Sequence, residues 1–196
     1  MKKSFLFIFL ALSFFTYGEK LPAEKARGFF LSLGVGPRLP IGSFSDQTDL
    51  GYGFNLEFSY TDNEYLPIFV FARAGFEQYP GSAEFYQTSE YNNLSTTSIP
   101  LFFGLRYYFP PIMENVVLFM PIVEVSGVYN YLSRVHQFKP DSERNNFTEE
   151  VSKFGINAGV GISMFLVEIL LNYNYFQSFQ FVGVDLKVRL PLYINF

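Results

Sequence analysis

Residues of alternating polarity recur along most of the chain, and this period of two limits the fold more than any other feature. Because successive side chains of a β-strand point to opposite faces, the alternation predicts strands with one apolar and one polar face. Eight such segments occur, at residues 28–38, 50–60, 68–77, 98–109, 118–131, 154–164, 167–175 and 182–196. Their length of roughly ten residues is what a strand tilted by about 45° needs to cross a bilayer.

The polar face of these segments is rich in Gly, Ser and Asn and carries five basic and five acidic residues, whose charges cancel. These residues are Arg38, Glu57, Arg73, Glu77, Arg106, Glu124, Glu168, Asp185, Lys187 and Arg189. Because an unpaired buried charge costs several kcal/mol, the balanced set indicates a confined interior in which the charges pair. No charge falls on the apolar face, as a lipid-facing surface requires, since an Arg or Lys near the midplane costs about 2–4 kcal/mol there.

These patterns predict an all-β fold, an eight-stranded antiparallel up-and-down transmembrane β-barrel. Closure of the barrel pairs the backbone N–H and C=O groups of the sheet edges, which lipid cannot hydrogen-bond. With both termini in the periplasm, the connections at 39–49, 79–95 and 132–152 are expected to be long extracellular loops. The connections at 61–67, at 110–115 and near Phe165 are short, as periplasmic turns are. Only the outer connection near Gln177 departs from this trend by being short.

The N-terminus has the form of a secretory signal peptide. Lys2 and Lys3 precede an apolar run from Phe5 to Phe15, which is too short for a spanning helix of roughly 20 residues. We expect cleavage after Gly18, so that residues 1–18 are the signal peptide, 19–27 a short periplasmic segment and 28–196 the barrel domain.

Composition excludes several kinds of site. Cysteine is absent, which rules out disulfides and thiolate metal sites. The net charge is −4, and no basic stripe suited to nucleic acid is present. The sequence gives no indication of a metal or a cofactor, and none is expected.

The chain resembles the small outer-membrane β-barrel proteins of the OmpA/OmpX and porin-like type, over residues 28–196. The resemblance rests on the overall pattern and on three stretches, "SIPLFFGLRYYF", "FGINAGVGISM" and the terminal "LPLYINF". It implies a location in the outer membrane, with lipid as the surrounding partner. It also implies that Tyr193 and Phe196 form the C-terminal signal that the barrel-assembly machinery recognises.

Two groups of residues are candidate active sites if the protein is an enzyme. His136 is the only histidine and has Ser133, Asp141 and Ser142 nearby, so a Ser/His/Asp arrangement at the extracellular rim is one hypothesis. A solvated loop histidine is the simpler interpretation, and no nucleophile-elbow pattern is present. Glu168 and Asp185 could form a catalytic carboxylate pair, but interior ion pairs with the basic residues explain them better. We therefore predict no catalytic residues and no enzyme.

The function expected from these features is that of a structural or adhesin-like surface protein with a filled, charge-paired interior. The predicted outer loops contain Tyr, Asn and Ser residues that could contact a surface ligand. Two alternatives remain at this point: a narrow pore, and a soluble lipocalin-like barrel that binds a ligand.

Overall fold

The strands close on themselves in the computed structural model, which describes residues 27–62, 66–112, 119–164 and 166–195. Within these residues, eight antiparallel strands each pair with their neighbours in sequence, and the last strand pairs with the first. The strands are β1 (Arg27–Ile41), β2 (Gly51–Asp62), β3 (Leu66–Pro80), β4 (Tyr91–Tyr108), β5 (Phe119–Phe138), β6 (Phe147–Met164), β7 (Val167–Phe176) and β8 (Phe179–Asn195). The predicted fold class is confirmed. The predicted signal peptide, residues 19–26 and Phe196 lie outside the described residues.

The two ends of the barrel differ. Arg27 pairs with Asn195, so the start of β1 and the end of β8 lie at one end of the barrel, which we call the terminal end. The connections after β1, β3, β5 and β7 lie at the other, the loop end. The first of these contains a 3₁₀ turn (Gly42–Phe44), and the second contains a short helix, α1 (Ala83–Thr88), whose N-cap Ser82 accepts from the backbone of Phe85. No helix in the described part of the chain is long and apolar enough to cross a membrane.

The polarity of the barrel is the reverse of that of a soluble protein. Val35 and Leu186 oppose each other across the β1–β8 seam on the outer surface and remain 57% and 51% exposed. Ser32 and Glu57, which oppose each other on the inner surface, are fully buried. The same alternation runs around all eight strands. A soluble lipocalin-like barrel has the opposite arrangement, so this alternative does not fit the structure.

The strands are longer than predicted at the loop end, and the third of the expected long loops is largely strand. The segment at 132–152, expected to be a loop, is a β-hairpin in which β5 continues to Phe138 and β6 begins at Phe147. In the segment at 79–95, β4 already begins at Tyr91. The prediction of a long loop was therefore wrong for the segment at 132–152, because β5 and β6 continue to pair through most of it. The connections after β1 and β3 remain, at residues 42–50 and 81–90.

Candidate functional site

The middle of the barrel interior holds an ionic cluster of three cations and two carboxylates. Arg73 donates from Nε to Glu57 at 2.8 Å and from Nη2 to Glu124 at 2.7 Å. Arg106 bridges the same two carboxylates, with Nη2 at 2.8 Å from Glu57 and 2.6 Å from Glu124. Lys187 adds a third donor to Glu57 at 3.1 Å. All five side chains are buried, so the cluster is held away from water.

A second cluster lies nearer the loop end and is centred on Arg38. Its Nε donates to Glu77 at 2.9 Å and its Nη2 donates to Asp185 at 2.7 Å. Asp185 also accepts from the amides of Asn55 at 2.9 Å and Asn172 at 2.8 Å. The amides of Asn55 and Asn172 donate to lone pairs of the Asp185 carboxylate that Arg38 does not use. These hydrogen bonds reduce the free-energy cost of burying the carboxylate.

A third layer closes the interior at the terminal end. The guanidinium of Arg189 lies over the rings of Phe30, Phe69 and Tyr108, at 3.9, 4.5 and 4.9 Å from their centroids. Tyr108 donates its hydroxyl to Glu168 at 2.6 Å, and Arg189 lies 3.5 Å from the same carboxylate. Stacked rings and a paired charge thus fill this end of the barrel.

An aromatic plug closes the loop end above Arg38. It consists of five rings that contact one another and are at most 2% exposed, from Phe44, Tyr79, Phe176, Phe179 and Phe181. Phe44 comes from the 3₁₀ turn of the first connection, which folds inward over the barrel. The Tyr79 hydroxyl donates to Glu77 at 2.9 Å and so joins the plug to the ionic layer below.

Little space remains between these layers. The cavity beside Arg38, Asn172 and Asp185 has a volume of about 10 Å³. That is about the lower limit of the roughly 10–15 Å³ that a cavity needs to hold one water molecule. The described interior is therefore a packed core.

Glycines make room for the long charged side chains in this narrow tube. A Cβ at Gly34 would lie 2.8 Å from Lys187 Cγ, and one at Gly159 would lie 2.9 Å from Glu124 Cγ. A Cβ at Gly53 would lie 3.0 Å from Glu77 Cγ and 3.2 Å from Arg38. Larger residues at these positions would displace members of the ionic clusters.

All ten charged residues singled out in the sequence lie inside the barrel, with exposed fractions between 0 and 8%. The partners that the sequence did not indicate are neutral, and they are Asn55, Asn172, Tyr79 and Phe44. Asn55 and Asn172 were marked only by their place on the polar face of a predicted strand. Tyr79 and Phe44 were marked only as aromatic residues within polar connections. Tyr193 lies on the outer surface of β8 and is 60% exposed.

The two candidate catalytic arrangements are not assembled. His136 lies against Phe147, with ring centroids 4.3 Å apart, and its Nδ1 is 3.3 Å from the Tyr91 hydroxyl. Its Nε2 faces Glu149 at 3.4 Å, so neither serine nor Asp141 is its partner. Glu168 and Asp185 belong to different layers and pair with different arginines. The described residues also contain no group of three side chains that could hold a metal ion.

Comparison with known proteins gives similarity of fold only. No protein-family model and no curated protein matches the chain. Among solved structures, Neisserial surface protein A (NspA) is 13% identical with a TM-score of 0.47, and the match covers 85% of this chain and 99% of that one. The attachment invasion locus protein Ail of Yersinia pestis is 14% identical, with the same coverage and TM-score. The N-terminal β-barrel domain of Pseudomonas aeruginosa OprF is 11% identical with a TM-score of 0.44, covering 85% and 100%. The chain resembles these small outer-membrane barrels in fold.

Proposed function

We propose that this chain is an integral outer-membrane protein whose barrel is a closed, non-conducting anchor for a β-sheet outside the cell. The observation that carries this proposal is the reversed polarity of the barrel, with an apolar exterior around a core of paired charges. A bilayer stabilises such a surface, whereas water does not.

The outer surface supports a membrane location. Large apolar side chains are exposed on every strand, including Leu33, Phe54, Val70, Phe103, Val125, Val160, Leu171 and Leu186. Exposed aromatic residues flank this band, with Tyr60 and Tyr193 toward the terminal end and Tyr52, Phe154 and Tyr175 toward the loop end. Such belts are typical of β-barrels at the two membrane interfaces.

The interior supports an anchor better than a pore. Arg38 and Arg73 each pair with two carboxylates, Arg106 pairs with three, and aromatic layers close both ends. Moving an ion through would require breaking buried pairs, and losing one partner of such a pair costs about 3–5 kcal/mol. We therefore expect purified protein in planar bilayers to give no conductance steps. Discrete steps of porin size would favour the pore over the anchor.

The membrane location has its own test. Membrane fractionation should place the protein in the outer membrane, and boiled and unboiled samples should migrate differently on an SDS gel. A protein found in the soluble periplasm, with no heat-dependent shift, would contradict the proposal.

The sheet that extends beyond the barrel at the loop end is the surface that we assign to interactions. It is formed by the outer parts of β4, β5 and β6, and it carries the charged residues Arg134, Glu149 and Lys153 on one face. We expect that deleting residues 133–149 and joining the shortened strands by a tight turn leaves the heat-dependent gel shift intact. The same deletion should abolish binding of the purified protein to ligands on other surfaces. Retained binding would show that another surface is used.

A further inference from the structure

A groove crosses the outer surface of β2, β3 and β4 near the loop end. Its volume is about 700 Å³, within the range of roughly 300–1,000 Å³ that is typical of small-molecule sites. It is lined by three aromatic rings and three polar side chains, those of Tyr52, Phe54, Phe76, Gln78, Asn93 and Ser95. We call it the rim groove, because it lies where the apolar outer surface of the barrel gives way to polar side chains.

The apolar and polar residues of the rim groove lie at different depths. β3 runs toward the loop end, so Phe76 lies deeper along the barrel than Gln78. β2 runs the other way, which places Phe54 deeper than Tyr52. Phe54 and Phe76 are directly opposite each other, with ring centroids 5.8 Å apart. The deeper part of the groove is therefore apolar, and the part toward the loop end is polar.

The polar side chains of the rim groove are open to a ligand. Gln78 is exposed and lies opposite Tyr52, yet the two side chains make no hydrogen bond to each other or to another described residue. On the β7–β8 side of the barrel, Tyr173 donates to Gln180 at 2.9 Å, so the same two residue types satisfy each other there. Asn93 is held by contacts of 3.3 and 3.4 Å, which use only part of the hydrogen-bonding capacity of its amide.

The described residues that line the rim groove carry no charge. Phosphate groups are commonly bound by Arg or Lys, whose charge-assisted hydrogen bonds are stronger than neutral ones. Amide and hydroxyl groups both donate and accept, which matches the hydroxyls of a sugar. The ring of Tyr52 is 66% exposed and offers an apolar surface to the C–H face of a sugar ring. The groove therefore suits an uncharged, hydroxyl-rich group better than a phosphate.

We propose that the rim groove binds a lipid with an uncharged saccharide headgroup in the outer leaflet of the outer membrane. An acyl chain packs against Phe54 and Phe76, and the sugar hydroxyls bond to Gln78 and Asn93. This inference rests on the proposed function, since the groove meets the outer leaflet only if the barrel lies in the membrane with its loop end outside. The order of apolar and polar groups supports this occupant, because a lipid in a bilayer has its chains deeper than its headgroup.

A single tryptophan can report on the groove, because the chain has none of its own. Tyr52→Trp keeps an aromatic ring in the groove, and brominated phosphatidylcholine in the vesicle membrane quenches its fluorescence. Unbrominated monogalactosyl diacylglycerol, an uncharged galactolipid, is then included in increasing proportion. We expect it to relieve the quenching as a lipid bound roughly tenfold more tightly than phosphatidylcholine, which is the effect of one or two net hydrogen bonds. Tyr175→Trp, on β7 toward the loop end, is the matched control and should show no preference.

Removing one polar group distinguishes recognition of the sugar from general contact with lipid. In the Tyr52→Trp protein, Gln78→Leu should lower the preference roughly fivefold, because the headgroup loses a hydrogen-bonding partner. Gln180→Leu makes the same change on β8 and should leave the preference as it was. A preference that ignores Gln78→Leu would overturn the proposal, and so would equal preferences in the Tyr52→Trp and Tyr175→Trp proteins.

Other lipids and a free sugar test the chosen occupant. Phosphatidylglycerol should relieve the quenching no better than phosphatidylcholine, and a stronger effect than that of the galactolipid would assign the groove to an anionic lipid. Excess lactose should leave the preference for the galactolipid unchanged, because it lacks the acyl chains. Loss of the preference with lactose would identify a free saccharide as the ligand and overturn the lipid.

The heat-dependent gel shift separates this inference from the proposed function. Protein that shows the shift but has no preference for the galactolipid would overturn the lipid site and leave the membrane anchor standing. Protein that shows no shift would contradict the anchor itself.

Discussion

At the scale of single residues, the paired charges inside the barrel decide its stability. Arg106 contacts Glu57, Glu124 and Glu168 and is about 1% exposed. A buried ion pair adds little over apolar packing, but removing one partner leaves the other charge buried and uncompensated. The free energy of unfolding should therefore fall most when one residue of an ion pair is replaced and its partner is kept.

Replacing Arg106 by Met tests this point. We expect the free energy of unfolding to fall by about 3–5 kcal/mol, because Glu57 and Glu124 each lose a close cation. Urea titration of the folded protein in detergent, followed by circular dichroism, measures the change. Arg144→Met is the control, since Arg144 pairs with Glu90 on the surface and both side chains are about 60% exposed. That variant should change stability by less than about 1 kcal/mol, and an equal loss in both would contradict the account.

Glycines at strand contacts give a second residue-scale prediction. A Cβ at Gly36 would overlap the carbonyl oxygen of Val184, a backbone atom on β8 that cannot rotate away. Gly127 faces open space, with no atom within 4 Å of the added carbon. Gly36→Ala should therefore weaken closure of the β1–β8 seam and lower the urea midpoint, whereas Gly127→Ala should leave it near wild type. Equal midpoints would show that the seam can adjust.

At the scale of strands, the sequence predicts some features of the barrel and misses others. Glu57 lies directly opposite Arg73, and Arg106 lies directly opposite Glu124, so those pairs follow from hairpin register. Lys187 lies opposite Glu168 yet donates to Glu57 on β2, which is separated from β8 by β1. That contact depends on strand tilt and stagger, which alternation alone does not specify.

The lengths of the strands were missed for a related reason. Alternation of apolar and polar residues weakens where no lipid is present, so the parts of β5 and β6 outside the membrane resemble polar loops in the sequence. Backbone hydrogen bonding needs no such alternation, and it continues to His136 opposite Phe147. The aromatic plug was missed because Phe44 reaches the interior from a connection rather than from a strand.

The last strand carries the prediction on assembly. We expect Phe196→Ser to reduce delivery to the outer membrane in cells several-fold, because the terminal aromatic residue is the proposed signal for the assembly machinery. The purified variant should still refold in detergent, since this change leaves the ionic clusters intact. Cell fractionation and the refolded gel shift measure the two effects separately. Normal delivery in cells would contradict the role of Phe196, and Tyr193→Ser tests the other proposed residue in the same way.

At the scale of the whole molecule, the central claim is that lipid surrounds the barrel while side chains fill its interior. The absence of native cysteine allows single spin labels to be placed on either face. Phe103, Val125 and Val160 lie on the outer face, and Ser126 and Ser163 lie on the inner face.

The most direct measurement is the accessibility of these labels to oxygen and to a water-soluble nickel complex in vesicles. We predict that labels at the three outer positions collide with oxygen, which concentrates in lipid, and are shielded from the nickel complex. Labels at the two serines should be shielded from both reagents. Strong collisions of the outer labels with the nickel complex would place that face in water and contradict the account.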